Sequence, residues 1–170
     1  MTYKKKSWKE KLEDSKQFPK ILEFDPKFPC ARALEKMGAK PGDSVVLASP
    51  LEVNAIMKEV PRGQLITLNE ICRSLAKKHA IDYCCTMTAG IFVMTAAHAA
   101  EEAKSEGTKH ITPYWRTLKM GGILNEKFPG GAEAQKKMLE QEGHRVIQRG
   151  KKLLVQGFEK HLVKLKYGMI

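Results

Sequence analysis

Thr67-Leu68-Asn69-Glu70-Ile71-Cys72-Arg73-Ser74-Leu75-Ala76-Lys77-Lys78 reads as a capped amphipathic helix, and the fold follows from what flanks it. Thr67 and Glu70 have capping-box spacing, in which hydroxyl and carboxylate exchange bonds with each other's backbone N–H groups. Leu68, Ile71, Cys72 and Leu75 recur at i, i+3, i+4 and i+7, which makes one buried stripe. Cys72 falls on that stripe and is read as core.

A second helix precedes this one. Ser44-Val45-Val46-Leu47-Ala48 is a short apolar run with strand character. Ser49 is then an N-cap, Pro50 takes the favoured first helical position, and Glu52 completes another capping box. Val53, Ile56, Met57 and Val60 follow at helical spacing, and Pro61-Arg62-Gly63 ends the run. A third helix is expected from about Thr88 to Lys104, with Ala89, Phe92, Val93, Ala96, Ala97 and Ala100 on one face. Three helices in succession, the last two joined by a short connector, fit a helix-turn-helix arrangement. In such an arrangement the last helix can enter a DNA major groove.

After Gly107 the character changes. Ile111 to Leu118 is rich in β-formers, Gly121-Gly122 makes a turn, and Ile123-Leu124 follows, which predicts a small hairpin or wing. Pro129-Gly130-Gly131 leads into a helix over about Ala132 to Glu142, closed by Gly143. Val146-Ile147 and Leu153-Leu154-Val155 flank a turn at Arg149-Gly150-Lys151, and Phe158 to Leu165 is a candidate further strand. Arg145, Arg149, Lys151, Lys152, Lys160, Lys164 and Lys166 make this tail strongly basic. Lysines protecting an edge strand and a phosphate-contacting extension explain that equally well. The fold class expected is α+β: a mainly helical winged helix-turn-helix domain with a small wing hairpin and a basic C-terminal β-hairpin extension. The divisions are 1–43, 44–145 and 146–170. The first contains a short helix near Ser7 to Lys16, breaks at Pro19, Pro26 and Pro29, and a turn at Lys40-Pro41-Gly42-Asp43; it is read as a cover for the core or a phosphate contact.

A chain of 170 residues, 42% of them hydrophobic, can bury a real core. A net charge of +11 points to a polyanionic partner, most simply nucleic acid. No apolar run is long enough to span a membrane, and no apolar signal core follows Met1-Thr2-Tyr3-Lys4-Lys5-Lys6, so a cytosolic, cytoplasmic protein is expected. Cys30, Cys72, Cys84 and Cys85 lack zinc-ligand spacing, so neither a metal nor another cofactor is expected.

Several segments together resemble the DNA-binding domain of O6-alkylguanine-DNA alkyltransferases. Val60-Pro61-Arg62-Gly63-Gln64-Leu65-Ile66-Thr67, followed by Glu70-Ile71, resembles its opening. Pro113-Tyr114-Trp115-Arg116-Thr117 sits where that family has Pro-Cys-His-Arg-Val. Pro129-Gly130-Gly131-Ala132-Glu133-Ala134-Gln135, then Leu139-Glu140-Gln141-Glu142-Gly143, is similar to alkyltransferase-like proteins, relatives whose acceptor cysteine is replaced. The resemblance runs from about residue 50 to 145. It marks Thr67, Glu70, Gly130, Gly131 and Glu142 as family-matched structural positions.

The resemblance implies a protein that binds double-stranded DNA, reads O6-alkylguanine within it and works alongside DNA-repair proteins. True family enzymes flip the damaged guanine out of the duplex and transfer its alkyl group to a thiolate. Here Tyr114 holds the cysteine position and Trp115 that of the histidine. A phenol is a poor nucleophile at neutral pH, and indole has no basic nitrogen. Transfer at this position is therefore not expected, no catalytic residue is assigned, and the protein reads as non-catalytic. Pro113, Tyr114, Trp115 and Arg116, with Thr88, Gly90, Ile91 and Met94 from the last helix, are the candidate DNA and lesion contacts. The reading puts Tyr114 in a base pocket, where one aromatic stack is worth ~1–3 kcal/mol, and gives Trp115 a packing role.

The chain also departs from the family. Leu68 stands where a tyrosine near the flipped nucleotide's phosphate is usual. No arginine lies between Arg73 and Arg116 to fill the gap a flipped base leaves; Ile91 or Met94 would be an apolar wedge in its place. The segment from Thr88 to Pro113 is longer than usual. Two rivals stay open. One is a cysteine-dependent enzyme or alkyl acceptor using Cys84 or Cys85 at a helix start, with His79 or His98 as base. The other is a scaffold that has lost DNA binding.

Overall fold

The computed structural model describes residues 4–164. Helix α1 (Trp8–Glu13) begins at a capping box, with Glu10 N–H on Ser7 Oγ at 3.1 Å and Ser7 N–H on the Glu10 carboxylate at 2.7 Å. It is followed by β1 (Lys20–Glu23) and α2 (Ala31–Lys36), and then by β2 (Ser44–Leu47). The Lys40–Asp43 turn before β2 is closed by Asp43 N–H on Lys40 O at 3.0 Å. Next come α3 (Pro50–Lys58), β3 (Ile66–Thr67), α4 (Leu68–Lys78), β4 (Tyr83–Cys84) and α5 (Thr86–Ser105).

Both central capping boxes form. Ser49 N–H donates to Glu52 at 2.8 Å, and Thr67 N–H donates to Glu70 at 2.9 Å while the Thr67 hydroxyl bonds the same carboxylate. Their carboxylates satisfy donors that a helix start leaves open. α5 starts two residues before the sequence places it, because Cys85 Sγ accepts the Thr88 N–H at 3.5 Å and caps the first turn. The apolar faces of α3, α4 and α5 meet in one core, with Met57, Ile71, Leu75, Val93 and Ala97 all buried. Each such side chain beyond alanine size contributes ~1.5–3 kcal/mol on burial. The alanines of α5 let α3 approach it closely.

The N-terminal segment covers this core and is built into it. β1 pairs with β2 antiparallel from Lys20↔Leu47 to Glu23↔Ser44, and β4 joins β2 in parallel, giving the sheet order β1-β2-β4. The division at 43/44 therefore falls between two hydrogen-bonded strands. α1 lies on α5, where the Trp8 and Lys9 N–H groups donate to the Glu102 carboxylate at 3.1 Å each and Trp8 stacks on His98 with centroids 4.5 Å apart.

Beyond α5 the chain makes a 3-10 turn at Tyr114–Arg116, then β5 (Thr117–Leu118), a second tight turn at Met120–Gly122, α6 (Gly131–Gln141), β6 (Val146–Arg149), β7 (Lys152–Val155) and a 3-10 turn at Phe158–His161. The wing hairpin expected over Ile111–Leu124 is reduced to one closing bond, Lys119 N–H on Ile123 O at 2.8 Å. The two arms find other partners: β5 pairs in parallel with β3, and Leu124 N–H goes to Leu153 O at 2.9 Å. Two successive glycines at positive φ, Gly121 and Gly122, make the loop too tight to extend into a ladder. The basic hairpin does form, β6 pairing antiparallel with β7. The strand expected from Phe158 on is reduced, among the described residues, to one parallel bridge between Leu162 and Leu65, because the 3-10 turn at Phe158–His161 takes up its first half and packs Phe158 against Gly122, where a Cβ would sit 2.4 Å from the ring. Leu165 and Lys166 lie outside the described residues. The architecture is α+β, three packed helices with small sheets at their edges.

Candidate nucleic-acid interface

The loop from Thr112 to Leu118 is fixed from three sides. Thr112 Oγ1 donates to Asn54 Oδ1 at 2.8 Å, which ties the loop's start to α3. Arg116 reaches the Glu142 carboxylate through Nε at 3.0 and 3.1 Å and through Nη2 at 2.6 Å, and its Nη1 donates to Val60 O at 2.7 Å. Trp115 Nε1 donates to the same carboxylate at 3.1 Å. Burial alone would raise the Glu142 carboxyl's pKa; the Arg116 and Trp115 donors outweigh it and hold the group below the usual carboxylate range.

The third tie is Gln135, fully buried on α6. Its Nε2 donates to Trp115 O and Thr117 O at 3.0 Å each, and its Oε1 accepts the Asn125 N–H at 2.8 Å. Sequence reasoning quoted Gln135 in the resemblance but gave it no role. An amide with both ends facing backbone is what a buried glutamine on an otherwise apolar helix face needs.

Tyr114 does not line a base pocket, contrary to the sequence expectation. It is 1% exposed, with its ring edge-on to both Trp115 and Phe128 and its hydroxyl donating to Glu101 Oε1 at 2.8 Å. Burial first, then Glu101, push its pKa up, so the side chain stays a neutral phenol. Glu101 follows buried Ala97 by one helical turn on α5, and a carboxylate on that alanine stripe is the signal that it needs a partner. Trp115 packs and bonds as a structural residue, and Pro113 opens the 3-10 turn.

The other candidate residues gather elsewhere. A cavity of about 280 Å³ opens between the first half of α5 and the chain from Thr117 to Phe128. Leu68, Gly90, Ile91 and Met94 line it, with Met87, Thr117, Asn125 and Phe128. Leu68, Ile91 and Met94 thus share one concave wall, with Gly90 between them facing Leu68. Met87 and Ile91 stand at its edge, 48% and 51% exposed. Thr88 is turned away, its hydroxyl donating to Cys85 Sγ at 3.3 Å. A second hollow of about 680 Å³ shares Leu68, Lys119 and Glu126 with the first and is walled on the far side by Gln148, Lys151 and Lys152 of the basic hairpin. Lys119 pairs with Glu126 at 2.9 Å across the junction. The two adjoin as one groove, apolar beside α5 and lined toward the hairpin by Lys151 and Lys152, with Glu126 and Glu133 between.

Gly130 and Gly131 lie at positive φ at the start of α6, and a Cβ on Gly130 would come within 2.7 Å of Ala134 Cβ. That explains the glycine pair by geometry alone. The thiols are arranged for packing. Cys30, Cys72, Cys84 and Cys85 are all free and buried. Burial first, then Cys85, push the Cys30 thiol up to about 12. The proposed bases have other partners, His79 bonding Glu52 at 2.6 Å and His98 bonding Lys127 O at 2.8 Å. No three His, Cys, Asp or Glu side chains are grouped to hold a metal ion among the described residues.

No family model and no curated protein matches the chain. Solved structures do. An S. pombe alkyltransferase-like protein in complex with DNA is 20% identical with a TM-score of 0.50, over 68% of this chain and 94% of that one. S. pombe Atl1 in complex with damaged DNA containing O6-carboxymethylguanine is 19% identical with a TM-score of 0.48, over the same 68% and 94%. The likeness at 0.50 is one of fold: the chain folds like an alkyltransferase-like protein.

Proposed function

We propose that this chain is a DNA-binding protein of the alkyltransferase-like type, which reads O6-alkylguanine in duplex DNA without transferring the alkyl group at position 114. The observation that carries the reading is the groove along α5, with Met87 and Ile91 exposed beside an apolar cavity and lysines along its far wall. An apolar wedge flanked by cations is what opening a base step and neutralising its phosphates require. The S. pombe protein of similar fold was solved in complex with DNA, which supports DNA as the partner. A buried Tyr114, kept a neutral phenol by burial and by its bond to the Glu101 carboxylate, supports the absence of transfer. Ile91 and Met94 act as the wedge in place of an arginine, and the β6–β7 hairpin takes the part of a wing. Duplex DNA is then the direct partner, in the cytoplasm, with DNA-repair proteins recruited to the complex.

The test is a titration of matched undamaged and O6-methylguanine duplexes at two salt concentrations. Binding that weakens steeply with salt and favours the lesion is expected. Flat titrations of both duplexes at low salt would sink the reading in favour of a scaffold. Iodoacetamide labelling of Cys84 or Cys85 faster than free cysteine would favour the thiol enzyme instead.

A further inference from the structure

Thr117 is 2% exposed, and its Oγ1 has no hydrogen-bond partner. The residue's other polar groups are engaged, its N–H on Tyr114 O and its carbonyl accepting from Gln135 Nε2 at 3.0 Å. A buried hydroxyl left open costs stability, so native proteins rarely keep one without a use. Thr117 lines the 280 Å³ cavity beside α5. Among the described residues the other buried side-chain atoms without a partner are the ring nitrogens of His144, which packs edge-on to His161 at 5.0 Å and does not line that cavity. Asn125 shares the cavity wall with Thr117. Its Oδ1 accepts the Lys127 N–H at 3.0 Å, and its Nδ2 has no partner among the described residues. Gln135 holds both positions, through Thr117 O and Asn125 N–H. One amide therefore sets the spacing of two polar groups in a cavity whose walls are apolar at Leu68, Met94 and Phe128 and charged at Lys119, Glu126 and Lys127.

We infer that the Thr117 hydroxyl is a specificity-determining group of this cavity, held open to hydrogen-bond the polar edge of a nucleobase seated there, with Asn125 as the second contact. This rests on the DNA-reading function proposed above. A base has flat apolar faces and an edge of mixed donors and acceptors. Apolar walls match the faces, and a hydroxyl that both donates and accepts, beside an amide donor, matches the edge. The motif that this loop resembles has valine at the position of Thr117, so the hydroxyl is this chain's own addition.

The experiment compares wild type, Thr117→Val and Thr117→Ser by anisotropy titration of O6-methylguanine and undamaged duplexes, with a thermal melt of each protein. Val fills the same space without the hydroxyl. It is expected to lose about 3- to 10-fold of the lesion preference, read as the ratio of the two duplex affinities, the range one neutral hydrogen bond supports. It should also melt higher than wild type, since an unsatisfied buried group has gone. Ser should keep the preference. A Val variant with undiminished preference, or one that melts lower, overturns the inference and leaves the lesion reading standing. A wild type that binds both duplexes alike overturns the inference and the lesion reading together and leaves DNA binding. A wild type that binds neither duplex overturns the DNA reading and this inference with it.

Discussion

Arg116 and Glu142 face each other across the loop–α6 junction in a two-pronged pair, 2.6 Å at its closest, with side chains only 13% and 4% exposed. The carboxylate also receives the Trp115 indole at 3.1 Å, so one group neutralises the loop's only cation and orients its largest ring. Removing one partner of such a pair leaves a charge buried and unpaired. Glu142→Ala is expected to cost ~3–5 kcal/mol in a urea melt, more than replacing an exposed pair would. Glu142→Gln should cost less, because its amide oxygen still accepts. A loss under ~1 kcal/mol for the alanine variant, the range of surface pairs, would show that the pair does not hold the loop.

A second carboxylate governs acid stability. Glu52 accepts from Ser49 N–H at 2.8 Å, Lys78 at 2.8 Å and His79 at 2.6 Å. Burial alone would raise its pKa, but Lys78, the Ser49 N–H and His79 outweigh this and bring it from 4.5 to about 2. A group whose folded pKa is depressed stabilises the protein above its unfolded pKa and stops doing so as pH falls through the folded one. The contribution is therefore whole above 4.5 and fades between there and about 2. It is worth on the order of 2–3 kcal/mol. Glu52→Gln should flatten stability against pH across that window. A variant curve parallel to wild type there would rule out Glu52 as the titrating group.

What the sequence made legible is what repeats locally. Two capping boxes and the apolar stripes of α3, α4 and α5 follow from spacing of a few residues, and each appears in the structure. Pairing across distance was not legible. β5 joins β3, about fifty residues away in sequence, while Gln135 of α6 takes the Thr117 carbonyl, and no spacing rule encodes either partner. The candidate site split the same way. Leu68, Gly90, Ile91 and Met94 do line one cavity, whereas Tyr114 is buried with its hydroxyl on Glu101 of α5, a residue to which spacing assigned no part.

Tyr114 gives the third prediction. Tyr114→Phe keeps the ring against Trp115 and Phe128 and removes only the bond to Glu101. It should cost ~1–3 kcal/mol of stability, since a carboxylate loses its donor. Lesion preference should be unchanged, because the ring lies behind the cavity wall rather than in it. A lesion preference abolished in a variant that melts close to wild type would return Tyr114 to the pocket.

The basic hairpin yields the last. Arg149, Lys151 and Lys152 are exposed and make no ion pair among the described residues. The hairpin is nonetheless held firmly: Leu124 N–H bonds Leu153 O at 2.9 Å, Gln156 N–H bonds Arg145 O at 2.8 Å, Val155 is fully buried, and Phe158 covers Gly122. Unpaired cations on an anchored strand pair, bordering the same groove as α5, suit a phosphate backbone better than the solvated edge that lysines protect elsewhere. Replacing all three with Gln should leave the melting temperature near wild type and lower affinity for damaged and undamaged duplex alike. The slope of log affinity against log salt should fall by roughly 2 to 3, at about 0.9 per phosphate contact. An unchanged slope would assign these cations to edge protection alone, and the groove would then hold DNA from the α5 side only.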